Sequence, residues 1–248
     1  MSGDQPAAVR FEGVSKSFGD HVVLDDVSFE IPAGSAFCIL GRSGTGKSVT
    51  LKQVIGLIQP DSGRIFIHGQ DITGMESRDL TEVRRKMGFL FQDAALFDSI
   101  SVGENVAFPL RRHTDLPNHE VLARARAKLK DVGLEEAFGQ MPSELSGGMR
   151  KRCGLARALA LDPDIVLVDE PSAGLDPITS GEIDQLLIEQ RREGVTLIVV
   201  THNIPSARAI GDELALLHEG HLVAQGTADE LDASREPIVQ AFMRSRGT

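Results

Sequence analysis

The sequence predicts an α/β fold: a mostly parallel core sheet with helices on both faces. Three observations lead there. Short apolar runs, Ala36–Leu40, 87–91, 165–168 and 196–200, alternate with helical stretches, and strands buried on both faces read as such runs. Three of the runs end in polar side chains, Gln92, Asp169-Glu170 and Thr201-His202, at the carboxyl ends where an α/β sheet meets its ligands. The first run opens onto a glycine-rich loop and then a helix-like stretch over 48–58.

Length and charge narrow the function classes. The chain has 248 residues, enough for one large domain, and 41% hydrophobic residues supply a real core. The formal net charge is −10. Backbone binding to nucleic acid needs a basic footprint, so no nucleic-acid partner is expected. No apolar run approaches the roughly 18–20 residues that span a bilayer. The first eight residues lack a basic segment followed by an apolar one, so no secretory signal is expected there. Cys38 and Cys153 make no disulfide framework and read as buried, reduced thiols. These features point to a cytosolic protein.

Taken in order, 9–11, 22–30 and Ala36–Leu40 read as strands, punctuated by Gly19-Asp20 and Pro32-Ala33-Gly34. Residues 63–69 alternate like a hairpin strand and 80–86 read as a short helix. From 93 to about 161 the pattern is helical, a helical insertion in the α/β domain. Within it 102–110 is one segment closed by Pro109, 118–132 is a charged amphipathic helix, and a further helix runs on from Met149. The α/β pattern resumes with a helix over 179–192 and a last hairpin from Glu213–His218 and 221–225. The tail, 237–246, reads as a short helix.

The loop after the first buried run carries the chemistry. Gly41, Arg42, Ser43, Gly44, Thr45, Gly46, Lys47 and Ser48 fit G-x-x-x-x-G-K-[ST], the phosphate-binding P-loop. Glycines let successive N–H groups point at phosphate oxygens, and the helix N-terminus adds partial positive charge. Lys47 reaches the β- and γ-phosphates of ATP, and the Ser48 hydroxyl binds Mg²⁺. Phosphoryl transfer to water then needs a second metal partner, for which Asp169 is the candidate, and a group that orients the water, for which Glu170 is the candidate. His202 ends the next strand and is expected at the same sheet edge. Phe18 offers a flat ring for an adenine face. Ser146, Gly147 and Gly148, just before a helix, make a second anion site. One nucleotide rarely needs two such sites from one chain, so a homodimer is expected in which this segment caps the partner's nucleotide.

With these residues in place the chain resembles the ATPase subunit of an ABC transporter along nearly its whole length. Residues 41–48 are similar to Walker A, Gln92 to the Q-loop, and Leu145 to Met149 (Leu-Ser-Gly-Gly-Met) to the signature. Residues 165–170 are similar to Walker B, Ser172 to Asp176 (Ser-Ala-Gly-Leu-Asp) to the D-loop, and His202 to the switch histidine, with Phe18 at the A-loop position. The resemblance implies one P-loop NTPase domain of ABC ATPase type over 1–248, with an N-terminal antiparallel β subdomain and a helical subdomain, about 93–161, inserted in a RecA-like core. It implies ATP and Mg²⁺ as cofactors, with Lys47, Gln92, Glu170 and His202 in catalysis and Ser48, Gln92 and Asp169 at the metal. Phe18, 41–48, Val49, Ser146, Gly147 and Gly148 would touch nucleotide. Two residues depart from the common pattern: Met149 stands where most of the family has Gln, and Val49 where Thr is usual. Met offers no amide hydrogen bond, so the signature backbone and Ser146 carry the contact.

These departures, with the stretches Phe91 to Phe97, Asp98 to Asn105 and Leu145 to Arg152, resemble one branch, the ATPases of Mla/Mce-type phospholipid transport systems. That branch implies a homodimer peripheral to the cytoplasmic face of the inner membrane. Its partners would be an integral-membrane permease, a small STAS-domain protein and a periplasmic Mce-type lipid-binding protein. The permease would dock near the Q-loop, around 94–105, where Phe97, Ile100 and Val102 supply apolar surface and Asp98 and Glu104 polar edges. Two other functions stand beside this one: an importer ATPase for a small polar solute, and a soluble ABC-type ATPase acting on nucleic acid or ribosomes. The −10 charge speaks against the second.

Overall fold

Two sheets organise the computed structural model, which describes residues 7–245. The segment 1–6, read above for a signal, and Arg246, read as the end of the tail helix, lie outside the described residues. The first sheet is antiparallel, in the order β2 (His21–Pro32), β1 (Ala7–Phe18), β4 (Ser62–Ile67), β5 (Gln70–Asp71). The second has six strands: β10 (His221–Gly226), β9 (Glu213–His218), β3 (Ala36–Leu40), β8 (Thr196–Thr201), β7 (Ile165–Asp169) and β6 (Met87–Leu90). Every neighbouring pair in it is parallel except β10 with β9. The mixed α/β architecture read from the sequence is the one found.

Strand alternation sends the core sheet's side chains into two hydrophobic layers. Phe37, Ile39, Ile165, Leu167, Ile198 and Val200 pack with the antiparallel sheet and with Leu51 and Val54 of α1 (Lys47–Val54). Cys38, Leu40, Val166, Val168, Leu197 and Val199 face the other helices. These are α3 (Val102–His113), α4 (Asn118–Asp131), α5 (Gly147–Ala158), α6 (Pro177–Arg192), α7 (Ile204–Ile210), α8 (Ala228–Asp232) and α9 (Pro237–Arg244). The short α2 (Thr81–Arg85) belongs with the first layer, where Val83 is buried. Burying each aliphatic side chain contributes about 1.5–3 kcal/mol, so both layers oppose any slip in strand register. Both cysteines are buried and free. Burial pushes the Cys153 thiol up to about 12 and Cys38 higher still.

Local chemistry moves several boundaries. β1 runs through Phe18, well past 9–11, because its irregular register with β2 keeps the pair hydrogen-bonded across bulges. Pro109 does not close α3. The helix continues to His113 and ends where the Thr114 N–H donates to Leu110 O, so Pro109 removes one ladder donor without stopping the helix. Residues 93–101 are not helical. Ala94 and Ala95 both have left-handed backbone, φ 60° and 47°, and α3 begins only where Ser101 accepts from the Glu104 N–H. Val102 is fully buried rather than part of an exposed apolar surface. α5 begins two residues before Met149, and α6 two residues before Thr179, where the Asp176 carboxylate accepts the N–H groups of Ile178 and Thr179.

Candidate functional site

β3 delivers the chain into loop 41–48, and α1 leaves it at Lys47. The loop conformation demands glycine at two places. Gly46 is left-handed, φ 98°, and a Cβ there would lie 2.8 Å from Val23 O; at Gly41 a Cβ would lie 2.5 Å from Thr45 Oγ1. Thr45 Oγ1 donates to Arg42 O at 2.9 Å, which tightens the turn. Gly44 is also left-handed, and Arg42 and Ser43 are exposed beside a cavity of about 630 Å³. His202 and Phe242 of α9 line the same cavity. Val49 is half-buried and packs into the α1 layer.

Five of the expected side chains converge at the loop. Lys47 Nζ donates to Gly41 O at 2.8 Å and Arg42 O at 3.1 Å, and lies 3.6 Å from Glu170 Oε1. Burial pushes the Lys47 ammonium pKa below its ordinary value, against the pull of Glu170 and Asp169. Ser48 Oγ donates to Asp169 Oδ1 at 3.1 Å. Burial raises the Asp169 carboxyl pKa, which the Ser48 hydrogen bond opposes. A hydroxyl and a carboxylate at this separation are hard oxygen donors that suit Mg²⁺. Strand parity explains the pairing: Asp169 continues the face of Ile165 and Leu167, toward α1.

Glu170 directly follows β7 and has left-handed backbone, φ 46°. Its Oε2 accepts from Thr201 Oγ1 at 3.1 Å and the His202 N–H at 3.3 Å, and lies 3.0 Å from His202 Nδ1. Its carbonyl accepts from Lys151 Nζ at 2.9 Å. The sequence places Thr201 only as the polar end of a buried strand and gives no site role to it or to Lys151. Lys151 is buried, and that burial lowers its pKa, opposed by Asp93, Glu170 and Asp169. Its place in the basic run Arg150, Lys151, Arg152 gives no sign of this. Thr201 directly precedes the histidine on a buried strand and was within reach of sequence reasoning.

Other expected residues lie apart from this cluster. Phe18 ends β1 half exposed, its ring 5.5 Å from Lys16 Nζ. Ser146 caps α5, accepting from the Met149 N–H at 3.2 Å. Among the described residues no hydrogen bond joins Ser146, Gly147 or Gly148 to loop 41–48. Gln92 is exposed and lines a cleft of about 190 Å³ with Asp93, Gly147, Lys151 and Gly174. No helix among the described residues is long and apolar enough to cross a membrane.

The family model described as ABC transporter matches residues 24–173. A probable ribonucleotide transport ATP-binding protein, mkl, from Mycobacterium leprae is 45% identical over 240 residues, covering 96% of this chain and 69% of its own. The intermembrane phospholipid transport system ATP-binding protein MlaF from Escherichia coli is 42% identical over 236 residues, covering 95% of this chain and 88% of its own. Among solved structures, the dimeric ATP-binding cassette MJ0796, in a post-hydrolysis state bound to ADP and Pi, superposes with a TM-score of 0.82. It is 34% identical and covers 88% of this chain and 98% of its own. The cbiO1 protein from Clostridium perfringens, part of the ABC transporter complex cbiONQ, has a TM-score of 0.84. It is 31% identical and covers 96% of each chain. The chain belongs to the ABC transporter family, as an ATP-binding subunit with the ATP hydrolase activity of that family.

Proposed function

We propose that this chain is a single ABC ATPase domain that pairs with a second copy, sandwiches two ATP between them and drives a membrane permease for phospholipid. The observation that carries the ATPase reading is the convergence of Lys47, Ser48, Asp169, Glu170 and His202 at the end of β3. Lys47 and the loop amides hold the phosphates. Ser48 and Asp169 would hold Mg²⁺, with Gln92, which lies apart from them in the cleft beside Lys151, as the further candidate ligand; the ion would neutralise charge on the transferring phosphoryl group. Glu170 Oε2, fixed by Thr201 and His202, takes the proton of the attacking water. Phe18 stacks on the adenine. Ser146, Gly147 and Gly148 complete the partner's site, as the dimeric relative supports.

The permease docks in a groove of about 320 Å³ that Phe91, Phe97 and Phe108 line with exposed rings. The protein then lies peripherally on the cytoplasmic face of the inner membrane, with a STAS-domain protein and a periplasmic Mce-type lipid-binding protein as further partners. Similarity to MlaF over 95% of the chain supports phospholipid as cargo. Similarity to mkl favours a second reading, ribonucleotide transport. Purification of the intact assembly from membranes, followed by lipid extraction and ATPase assays, separates them. The expected result is a multi-span permease with bound phospholipid and ATPase activity that phospholipid alters. An assembly without lipid whose ATPase responds to ribonucleotides would replace the first cargo with the second.

A further inference from the structure

One residue beyond Gln92, after Asp93, the chain passes through two consecutive left-handed residues, Ala94 and Ala95, neither of them glycine. A Cβ disfavours this conformation, and alanine has no polar group to offset it locally, as Asn or Asp has. The compensation comes from α5. Arg157 Nη2 donates to Ala94 O and Nη1 to Ala95 O, both at 2.7 Å. One planar fork thus grips two successive carbonyls, and the guanidinium carbon lies 5.9 Å from the centroid of the Phe97 ring. The helix sits against this loop with little clearance. A Cβ built on Gly154 would lie 2.9 Å from Leu90 Cδ1 and 3.0 Å from Ala94 Cβ.

The geometry points to Arg157 as a positioning residue: it holds the strained Ala94-Ala95 segment and thereby sets Gln92 at the cleft beside Gly147, Lys151 and Gly174. The inference rests on the reading of Gln92 as a residue of the nucleotide site. It extends that reading by tying Gln92, through one guanidinium, to the helix that Ser146 caps and to an aromatic ring of the docking groove. Arg157 forms no ion pair among the described residues, and the carbonyls of Ala94 and Ala95 are the acceptors of its guanidinium.

The test compares the full chain with Arg157→Lys, Arg157→Lys/Ala95→Gly and Gln92→Ala, measuring ATPase kinetics and amide hydrogen exchange. Lysine keeps the charge but not the fork. Arg157→Lys is expected to lower kcat about tenfold with little change in KM and to speed exchange about tenfold in 92–97 alone. Glycine at position 95 accepts the left-handed backbone without strain, so the double variant is expected to recover most of kcat. Unchanged exchange over 92–97 in Arg157→Lys overturns the proposal. So does a loss of protection spread over the whole fold that Ala95→Gly does not reverse, since that marks a merely structural residue. Full activity in Gln92→Ala, with exchange still faster in Arg157→Lys, would remove the role of Gln92 and leave the hold on the segment standing.

Discussion

Glu170 is engaged at both ends. Its carboxylate meets Lys47, Thr201 and His202, while its carbonyl is held by Lys151. Left-handed backbone at a non-glycine residue persists where surrounding contacts over-determine it, and here those contacts are the site itself. The Glu170→Gln variant keeps the shape and most hydrogen bonds but cannot accept a proton. It is expected to bind ATP as tightly as the parent while hydrolysis falls about 10²–10⁴-fold. Equilibrium nucleotide binding and single-turnover assays measure the two separately. Turnover at half the parent rate would take the proton-accepting role away from Glu170. Much of this cluster was legible in the sequence, because Lys47 and Ser48 complete the loop motif that follows β3, while Asp169, Glu170 and His202 stand at or just past the ends of buried runs. Lys151 was not, because a basic side chain near the start of a helix reads as solvated until its partner carbonyl is known.

At the scale of elements, α6 and α7 are tied by a buried polar contact. Ser206 Oγ donates to Asp184 Oδ2 at 2.6 Å, and Asp184 Oδ1 has no hydrogen-bond partner. Burial raises the Asp184 pKa, and the Ser206 bond opposes the shift. The folded state therefore binds this proton more tightly than the unfolded chain does. Stability from this group rises as pH falls through its folded value toward the unfolded one, and is lost as pH rises. Thermal unfolding of the parent and Asp184→Asn between neutral and mildly acidic pH is expected to show the parent gaining on the variant as pH falls. A constant difference would show that Asp184 titrates alike in both states. Neither α7 nor α8 was legible, since seven and five residues are too short for a helical period to register. The misreading of 93–101 has a different source: left-handed alanines carry no signal, because the arginine that holds them lies about sixty positions downstream. The buried runs of β3, β7 and β8 were plain because no polar residue interrupts them.

For the whole molecule, Ser146 and loop 41–48 are unconnected within one chain, which is the basis of the two-copy site. Ser146→Arg is expected to leave ATP affinity of the isolated chain nearly unchanged and to block hydrolysis. The lost cap costs about 1 kcal/mol, which circular dichroism can separate from the catalytic effect. Mixed with Lys47→Ala chains, it is expected to restore at most one of two composite sites. A large loss of ATP affinity in the lone Ser146→Arg chain would argue that nucleotide is held within one copy. The alternation that divides the core sheet between two layers has a consequence for how this chain can change length. Odd positions of β7 face α1 and even positions face the helical layer. Deleting a single residue between Ile165 and Val168 would turn Asp169 away from Ser48, although every catalytic side chain was still encoded. Removing two would restore the address while shortening the strand. Descendants of this chain are thus free to trade one aliphatic residue for another in β7, but its length can drift only in pairs.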